Sequence, residues 1–598
     1  MRCSVWLDHH VSVARHGRAS LVVVAASKKG KAGGRKGGKS KKRGGGRQQR
    51  KSSEAPSPLL NMSRFRADEK LLFEGVPGQH GALDVVYAYP NEYSVGITSL
   101  GYQLVWANLS MRPDIKVARL FTDAHEDLPM SPGLLGFSLS WELDYANMLS
   151  MLEKLGIPIL AADRGDDHPL VFGGGPVLTG NPEPYAAFMD VVLMGDGENL
   201  VGEFLDAVLA SRGGSGGRME VLRALSQVPG VYVPALFHVE YSDPCGPISS
   251  VTPISQDTPQ EVIKQTYRGK GLAASTVVSS KMAWENIFMV EVVRSCPEMC
   301  RFCSASYLSL PFRPASLSES LIPALEQGLG VTDRLGLLGA SVTQHPEFPA
   351  LIDYLLQPEM DHVRLSIASV RTNTVTPQLT KALASRGTKS LTVAVESGSE
   401  RVRRIINKKL DQDDIAACVA ASEEGGLEGL KFYGMVGLPG EEVQDVEETV
   451  SMMEKLKSEA PQMRLSLGVS TFVPKSHTPF QWYGVSRGAK KRMDILMKSV
   501  KKIGVEFRPE SHKWSIIQAL LSRGDRRLTH LLLKTREYGD SLGAFRRAFN
   551  DLEGEIPPLE YYVYREIPED EVLPWDHIIG PLRKPTLEKH RQQAVAEM

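Results

Sequence analysis

The 598-residue chain lacks the features that mark secreted and membrane proteins. It has six cysteines, and they are scattered except for one group of three, which argues against a disulfide framework and indicates a reducing compartment. No apolar run approaches the roughly 20 residues that span a bilayer, so we expect no membrane span. The composition is otherwise globular, with 42% hydrophobic and 23% charged residues, and the length predicts more than one domain.

Acidic residues are nearly absent from the first 51 positions, which hold fifteen Lys and Arg but one acid, Asp8. This head carries a net charge of about +14, and the remaining chain balances it with about −14. An acid-poor, Arg-bearing head is typical of an organelle transit peptide, so residues 1–55 are predicted to be a disordered basic transit peptide. The alternative is a basic tail that binds nucleic acid. The acidic body argues against a broad nucleic-acid footprint elsewhere.

The end of the segment Leu21–Ala26 is similar to an algal or plant plastid cleavage region. We therefore expect the protein in the chloroplast stroma, with the mitochondrion as the alternative.

Strand-like and helix-like segments alternate from about residue 82, which predicts a doubly wound parallel sheet over residues 80–215. Glycine-rich turns follow its last two strands, at Gly173–Pro176 and Gly195–Glu198. Such turns let a backbone approach a phosphate or a corrin tail beyond the carboxyl ends of the strands. A linker or transition segment, residues 216–283, follows. The predicted strands lie at 84–90, 117–121, 134–138, 169–172 and 190–194.

The densest group of metal-ligating residues is Cys296, Cys300 and Cys303, spaced C-x3-C-x2-C. Three thiolates this close converge on one centre. A tetrahedral zinc site would need a fourth ligand, and the nearest candidate, His345, lies more than forty residues on. A [4Fe–4S] cluster on three cysteines leaves one iron open to another ligand. The apolar run 287–293 predicts a buried strand that leads into the cysteine loop.

With an aromatic residue before its last cysteine, this loop resembles the cluster loop of the radical SAM superfamily. Three later segments carry the same resemblance: Gly339–Ser341, Glu396–Ser399 and Gly434–Glu441. The first differs from the family's Gly-Gly-Glu segment, because Ala340 and Ser341 replace its second Gly and its Glu. The resemblance implies a [4Fe–4S] cluster on the three cysteines and S-adenosylmethionine on the open iron.

The same resemblance implies which residues contact the two cofactors. The segment from Gly339 would bind the methionine amino group, the segment from Glu396 the ribose and carboxylate, and the segment from Gly434 the adenosyl group. No catalytic residue is assigned. The implied cofactor-binding residues are Phe302, Gly339, Ala340, Ser341, Glu396, Ser397, Gly434 and Gly437.

Six further strand–helix units predict a partial (β/α)6 barrel of the TIM type, whose site lies at the carboxyl ends of the strands. The barrel core would span residues 284–500 and a C-terminal α/β extension residues 501–598. The predicted strands lie at 287–293, 335–338, 363–368, 391–395, 430–436 and 464–470.

The domain order resembles an uncharacterised fusion family in which a cobalamin-binding-like domain precedes the radical SAM core. The two glycine-rich turns and the segments 472–482, 522–527 and 573–577 carry this resemblance. Cobalamin is therefore kept as an additional cofactor. The first loop, 89–96, has no His for cobalt, and His125 after the second strand is interpreted as a solvated loop histidine.

The resemblance implies a radical SAM enzyme that cleaves S-adenosylmethionine reductively to a 5′-deoxyadenosyl radical, with a ferredoxin- or flavodoxin-type one-electron reductant as partner. The substrate is not identified. The alternatives are a cobalamin-dependent radical methyltransferase and a non-catalytic Fe–S binding module. Methylthiotransferases of this superfamily carry a second cluster on three cysteines of their N-terminal domain. Only Cys245 lies between residues 80 and 280 here, so this class is disfavoured. His477 is interpreted either as part of a substrate pocket or as structural.

Overall fold

A computed structural model of the chain describes residues 60–212 and 216–598. The predicted transit peptide, residues 1–55, lies outside these residues. Among the helices of the described part, none combines the length and the apolar character that crossing a membrane requires.

An eight-stranded sheet forms the core of the N-terminal domain, in the order β1-β4-β3-β2-β5-β6-β7-β8. Its five middle strands, β3-β2-β5-β6-β7, are parallel, which confirms the predicted doubly wound sheet. The order reverses between β2 and β5, and this is the switch point at which such sheets bind ligands. The strands are β1 Leu60–Asn61, β2 Leu83–Ala88, β3 Ile115–Leu120, β4 Ala124–His125, β5 Leu134–Ser138, β6 Leu170–Gly174, β7 Val191–Leu193 and β8 Val231–Tyr232.

The central strands of this sheet are mostly apolar and buried, as expected for parallel strands covered on both faces. The Ser99 hydroxyl caps the helix Leu100–Ser110 by accepting the Tyr102 N–H at 3.4 Å. The α-helices of the domain are Ser63–Arg66, Tyr93–Gly96, Leu100–Ser110, Tyr145–Lys154, Pro176–Gly180, Gly197–Ser211 and Gly217–Leu225.

The segment predicted as a linker, residues 216–283, contains regular structure. Its strands Phe237–Tyr241 and Ile248–Pro253 form an antiparallel hairpin. A turn at Pro234–Leu236 separates the strands Val231–Tyr232 and Phe237–Tyr241, because proline has no N–H for a ladder bond. Two-residue strands tie the segment to distant parts of the chain: Val262–Ile263 pairs with Ile578–Ile579, and Val277–Val278 pairs with Lys70–Leu71.

The second domain is a partial barrel of parallel strands, and all six predicted strands are present. Two four-stranded sheets meet through a bridge between Val370 and Val393. A seventh strand, β15, was not predicted and adds in parallel to β14. A short strand, Arg313–Pro314, pairs antiparallel with β9. The parallel strands are β9 Ile287–Arg294, β10 Arg334–Gly339, β11 Arg364–Ile367, β12 Ser390–Glu396, β13 Gly429–Val436, β14 Arg464–Thr471 and β15 Glu506–Pro509.

The helices of the second domain and of the C-terminal extension complete the fold. Apolar residues of the extension, among them Leu520 and Leu531, share the hydrophobic core of the N-terminal sheet. The extension therefore joins the N-terminal domain although the whole barrel lies between them in the chain. The α-helices are Ser304–Tyr307, Ile322–Leu329, Phe348–Leu355, Pro377–Ser385, Glu400–Ile405, Gln412–Glu424, Val443–Glu459, Ala489–Lys502, His512–Arg523, Leu528–Glu537, Leu542–Asp551, Leu559–Val563 and Lys584–Val595.

Candidate active site

The three clustered cysteines lie in the loop after β9, at the carboxyl end of the barrel strands. Cys296 and Cys300 are buried and Cys303 is half-buried. The Cys303 N–H donates to the Cys300 carbonyl at 2.9 Å, which turns the loop tightly. Two loop residues, Ser295 at φ 71° and Met299 at φ 55°, have the left-handed backbone conformation. The structure thus places the cysteines where the sequence predicted them, on the mouth of the barrel.

Burial raises the pKa of the Cys296 and Cys300 thiols, that of Cys300 to about 12, and each thiolate would also repel the others. Positive charge is therefore needed to hold them as thiolates. Lys408 and Arg371 supply part of it beside Cys300. In residues 60–212 and 216–598, no three His, Cys, Asp or Glu side chains are arranged to hold a single metal ion. A cubane cluster distributes three cysteines over three irons, which fits this donor set better than one zinc ion.

The Ser306 and Ser341 hydroxyls hydrogen-bond the Cys296 thiol, and both oppose the rise in its pKa. Glu396, which pairs with Lys408 through Oε1, has a second buried carboxylate oxygen, Oε2, with no hydrogen-bond partner among the described residues. Buried polar atoms are normally paired, so this free oxygen indicates that a polar ligand binds there. The residues at the barrel mouth therefore fit a cluster with a polar second ligand.

Charged side chains from four strand ends connect the cysteine loop to the barrel. Glu298, within the loop, accepts a hydrogen bond from Gln344 Nε2 at 2.5 Å and lies 3.7 Å from the Arg371 guanidinium. Arg371 also donates to the Lys408 carbonyl at 2.7 Å. The Lys408 ammonium pairs with Glu396 at 3.2 Å, and both residues are buried. Sequence reasoning missed Gln344, Arg371 and Lys408. The first two are marked only by their position after strand ends, and Lys408 lies in the loop after the helix Glu400–Ile405.

The first predicted cofactor segment begins at Gly339, the last residue of β10. Its φ of 148° is accessible mainly to glycine, and an added Cβ would lie 2.6 Å from the Val293 carbonyl oxygen. Ala340 is exposed, whereas Ser341 is buried beside Cys296. The segment that departs from the family pattern therefore still brings a hydroxyl to the cysteines.

The second and third segments lie side by side, because Glu396 and Gly434 are in register on β12 and β13. Glu396 has a φ of 66° and points its carboxylate at Lys408. Ser397 is buried, and its hydroxyl accepts the Ser399 N–H at 3.2 Å. The Gly437 N–H donates to Glu441 Oε2 at 2.6 Å.

Phe302 is half-buried and packs against the hydrophobic cluster that contains Met435 and Leu438. The cysteine loop therefore contacts the third segment directly. Burial raises the pKa of the nearby Glu441 carboxyl to about 7, despite the Gly437 N–H and the Arg492 guanidinium.

Of the three histidines considered from the sequence, His345 is buried, and its Nε2 lies 2.7 Å from the Ala315 carbonyl oxygen. His125 is half-buried in the short strand β4, between β1 and β3, and its Nδ1 lies 2.7 Å from the Glu126 carbonyl oxygen, so it is not a solvated loop residue. His477 is buried between Gly180 and Gly580, and its Nε2 has no partner. Burial lowers the pKa of His477 to about 4, so its imidazole is neutral.

Two parts of the chain match known protein families. Residues 104–234 match the family of radical SAM proteins, N-terminal, and residues 290–453 match the radical SAM superfamily. An uncharacterized protein of Methanocaldococcus jannaschii is 27% identical over 455 residues, which are 75% of this chain and 90% of that protein. An uncharacterized methyltransferase of Pyrococcus horikoshii is 24% identical over 308 residues, which are 50% of this chain and 61% of that protein.

Solved structures of similar architecture have low sequence identity. The radical S-adenosylmethionine methyltransferase TsrM of Kitasatospora setae, with cobalamin and a [4Fe–4S] cluster bound, is 13% identical with a TM-score of 0.47, over 86% of this chain and 99% of that chain. The cobalamin-dependent radical enzyme OxsB, with aqua-cobalamin and S-adenosylmethionine bound, is 11% identical with a TM-score of 0.44, over 79% and 73% of the two chains.

Proposed function

We propose that the chain is a radical SAM enzyme that binds a [4Fe–4S] cluster through Cys296, Cys300 and Cys303 and cleaves S-adenosylmethionine reductively. The observation that carries the proposal is the grouping of three cysteines, two buried hydroxyls on Cys296 and the unpaired Glu396 Oε2 at one end of the barrel. When bound, the reduced cluster and S-adenosylmethionine supply a 5′-deoxyadenosyl radical, which abstracts hydrogen from a substrate.

The chain's own residues would orient the two cofactors. Ser341 offers a hydroxyl beside Cys296, and Glu396 offers a free carboxylate oxygen. Gly434 is in register with Glu396 and places its backbone beside that residue. Phe302 and Leu438 line the apolar side and exclude water from the cluster.

The test is anaerobic turnover. Full-length protein is reconstituted with iron and sulfide, mixed with dithionite and S-adenosylmethionine, and assayed for 5′-deoxyadenosine. Wild type should form 5′-deoxyadenosine, and Cys300→Ala should form none, with loss of cluster absorbance. Cys418→Ala is the matched control, because Cys418 is buried in the helix Gln412–Glu424 away from the loop. A cluster retained in Cys300→Ala, or no 5′-deoxyadenosine from wild type with a reducible cluster, would contradict the proposal and favour a non-catalytic Fe–S module.

Methyl transfer is the second candidate reaction, favoured by the similarity to the uncharacterized methyltransferase of Pyrococcus horikoshii. It predicts S-adenosylhomocysteine as a product beside or instead of 5′-deoxyadenosine. Both products can be quantified in the same reaction by liquid chromatography. Formation of 5′-deoxyadenosine alone would leave hydrogen abstraction as the reaction class.

A reductant and a cell compartment complete the proposal. The electron would come from a ferredoxin- or flavodoxin-type protein, so replacing dithionite with reduced ferredoxin should also give 5′-deoxyadenosine.

The basic head, with fifteen Lys and Arg against one acid, supports import into the chloroplast or another organelle. The full chain fused at its C-terminus to a fluorescent protein should enter that organelle, and a fusion lacking residues 1–55 should not.

A further inference from the structure

Doubly wound sheets bind their ligands at the switch point. In the N-terminal sheet of this chain, side chains of the protein itself lie there. Glu142, immediately beyond β5, is buried and forms an ion pair with Lys475, which follows the last predicted barrel strand. The Lys475 ammonium also donates to the Ser522 hydroxyl at 2.9 Å. Gln518 Nε2 donates to Glu142 Oε2 at 3.1 Å. Two segments from the C-terminal half therefore fill this crevice.

The first glycine-rich turn contacts protein where a cofactor was predicted. Gly175 has a φ of 107°, and an added Cβ would lie 2.6 Å from the Leu139 carbonyl oxygen. The side-chain amide of Asn181, just beyond, donates to the carbonyls of Ser522 at 3.2 Å and Gly524 at 2.9 Å. Because Gly175 has no side chain, its backbone packs directly against the backbone of Leu139. The helix that ends at Arg523 covers the carboxyl edge of the sheet.

The second glycine-rich turn is contacted in the same way. The position of an added Cβ on Gly195 overlaps the backbone of Gln265, which runs alongside it. Gln265 donates its N–H to the Met194 carbonyl at 2.8 Å and accepts the Asp196 N–H at 3.1 Å. The transition segment therefore occupies the position predicted for a phosphate or a corrin tail.

The cations at this turn are already paired with the chain's own carboxylates and so are not free to bind a phosphate. Asp196 and Glu198 are carboxylates, and they pair with cations of the barrel: Glu198 lies 2.7 Å from Arg294, and Asp196 lies 2.5 Å from Arg313. Lys264 approaches Asp196 to 4.0 Å. Because Arg294 is the last residue of β9, this turn supports the strand that carries the cysteine loop.

We infer that the N-terminal domain of this chain does not hold cobalamin and instead uses the carboxyl edge of its sheet to dock the barrel and the C-terminal extension. The residues present do not fit a corrinoid, because the crevice and both glycine-rich turns are filled by Lys475, Gln265 and the helix His512–Arg523. The inference is independent of the cleavage of S-adenosylmethionine, and each can fail without the other.

The test is direct binding of hydroxocobalamin and methylcobalamin to the full chain. Protein is incubated with excess corrinoid, before and after anaerobic reconstitution of the cluster, and separated by gel filtration. Wild-type fractions should show no corrin absorbance. The yield of 5′-deoxyadenosine should also be unchanged by added cobalamin. Stoichiometric corrin in the wild-type fractions would overturn the inference, whatever the yield of 5′-deoxyadenosine.

A pair of variants tests the docking contact itself. Lys475→Met leaves the buried Glu142 carboxylate without its cation and should lower Tm by several degrees. Lys475→Met combined with Glu142→Gln removes both charges and should recover most of that loss. Equal Tm values for wild type and Lys475→Met would contradict a docking role. Corrin bound by a folded variant but not by wild type would support the inference, because the Lys475–Glu142 contact would then be what excludes the cofactor.

Discussion

Gly339 is a residue whose identity the backbone dictates. Its φ of 148° and the 2.6 Å approach of an added Cβ to the Val293 carbonyl oxygen leave no room for alanine. Gly426 also has a positive φ, 84°, but no atom lies within 4 Å of an added Cβ. The two glycines therefore separate the effect of backbone strain from the effect of a close approach.

Gly339→Ala should reduce the free energy of unfolding by about 3 kcal/mol, because strain and a collision add. Gly426→Ala should lose about 1 kcal/mol from strain alone. Urea unfolding monitored by circular dichroism measures both, and iron content after reconstitution should fall only in Gly339→Ala. Equal losses in the two variants would show that β9 shifts to accommodate the methyl group.

Lys408 is the cation that most affects Cys300. A positive charge stabilises the reduced, more negative cluster, so Lys408→Met should lower the midpoint potential. We expect a shift on the order of 50 mV, or about 1 kcal/mol for one electron. Redox titration followed by electron paramagnetic resonance measures it. Lys409→Met is the matched control, because Lys409 is more than half exposed and solvent screens its charge. A shift of the same size in both variants would rule out a specific role for Lys408.

At the scale of elements, the C-terminal helix Lys584–Val595 lies against the cysteine loop. The Tyr307 hydroxyl, just after that loop, lies 2.8 Å from His590 Nδ1 and donates to the Met299 carbonyl at 3.3 Å. Leu587 is buried in a cluster with Tyr307 and Trp575. The helix therefore stabilises the loop through apolar packing and one polar contact.

Leu587→Ala should reduce the free energy of unfolding by about 2–4 kcal/mol, because it leaves a cavity in a packed cluster. Val595→Ala, on the same helix at an exposed position, should change it by less than about 0.5 kcal/mol. Hydrogen exchange of residues 296–307 should speed up only in Leu587→Ala. Unchanged exchange there would mean that the cysteine loop is held without the helix.

At the scale of the whole molecule, the stability depends on pH through groups buried where the domains meet. Burial, with the Glu142 carboxylate nearby, raises the pKa of Asp144 to about 8, although the Asn91 amide opposes the shift. In the unfolded chain the carboxyl has its ordinary pKa near 3.8. The folded state therefore binds the proton more tightly, and Asp144 reduces stability as the pH rises from about 4 to about 8.

Asp144→Asn removes this titration while keeping an acceptor for Asn91. The variant-minus-wild-type difference in the free energy of unfolding should grow by about 4 kcal/mol from pH 5 to pH 8. Thermal unfolding at the two pH values measures the change. The exposed Asp167 provides the control, because Asp167→Asn should follow wild type at both pH values. If the difference in unfolding free energy between Asp144→Asn and wild type does not grow with pH, the Asp144 carboxyl is already ionised in the folded protein.

Local sequence patterns were sufficient for most elements of both domains. Apolar runs bounded by turn residues predicted all six barrel strands, because a parallel strand buried on both faces must be apolar throughout. The same patterns missed β15, which carries exposed charges and forms a strand only because β14 offers it a partner. The second strand of the hairpin, Ile248–Pro253, was also missed, because its Pro, Ser and Thr are typical of linkers.

The sequence by itself determined the cysteine loop, the doubly wound sheet and the barrel, because spacing and hydrophobic periodicity are local properties of the chain. Only the tertiary structure decided which distant residues meet. Lys408 and Arg371 lie in loops, and no local sequence pattern predicts that these loops bring the two cations close to Cys300. The glycine-rich turns at Gly175 and Gly195 are marked in the sequence as places of close approach, but the approaching group is decided by packing. Here that group is the chain's own backbone, since Leu139 and Gln265 occupy the space.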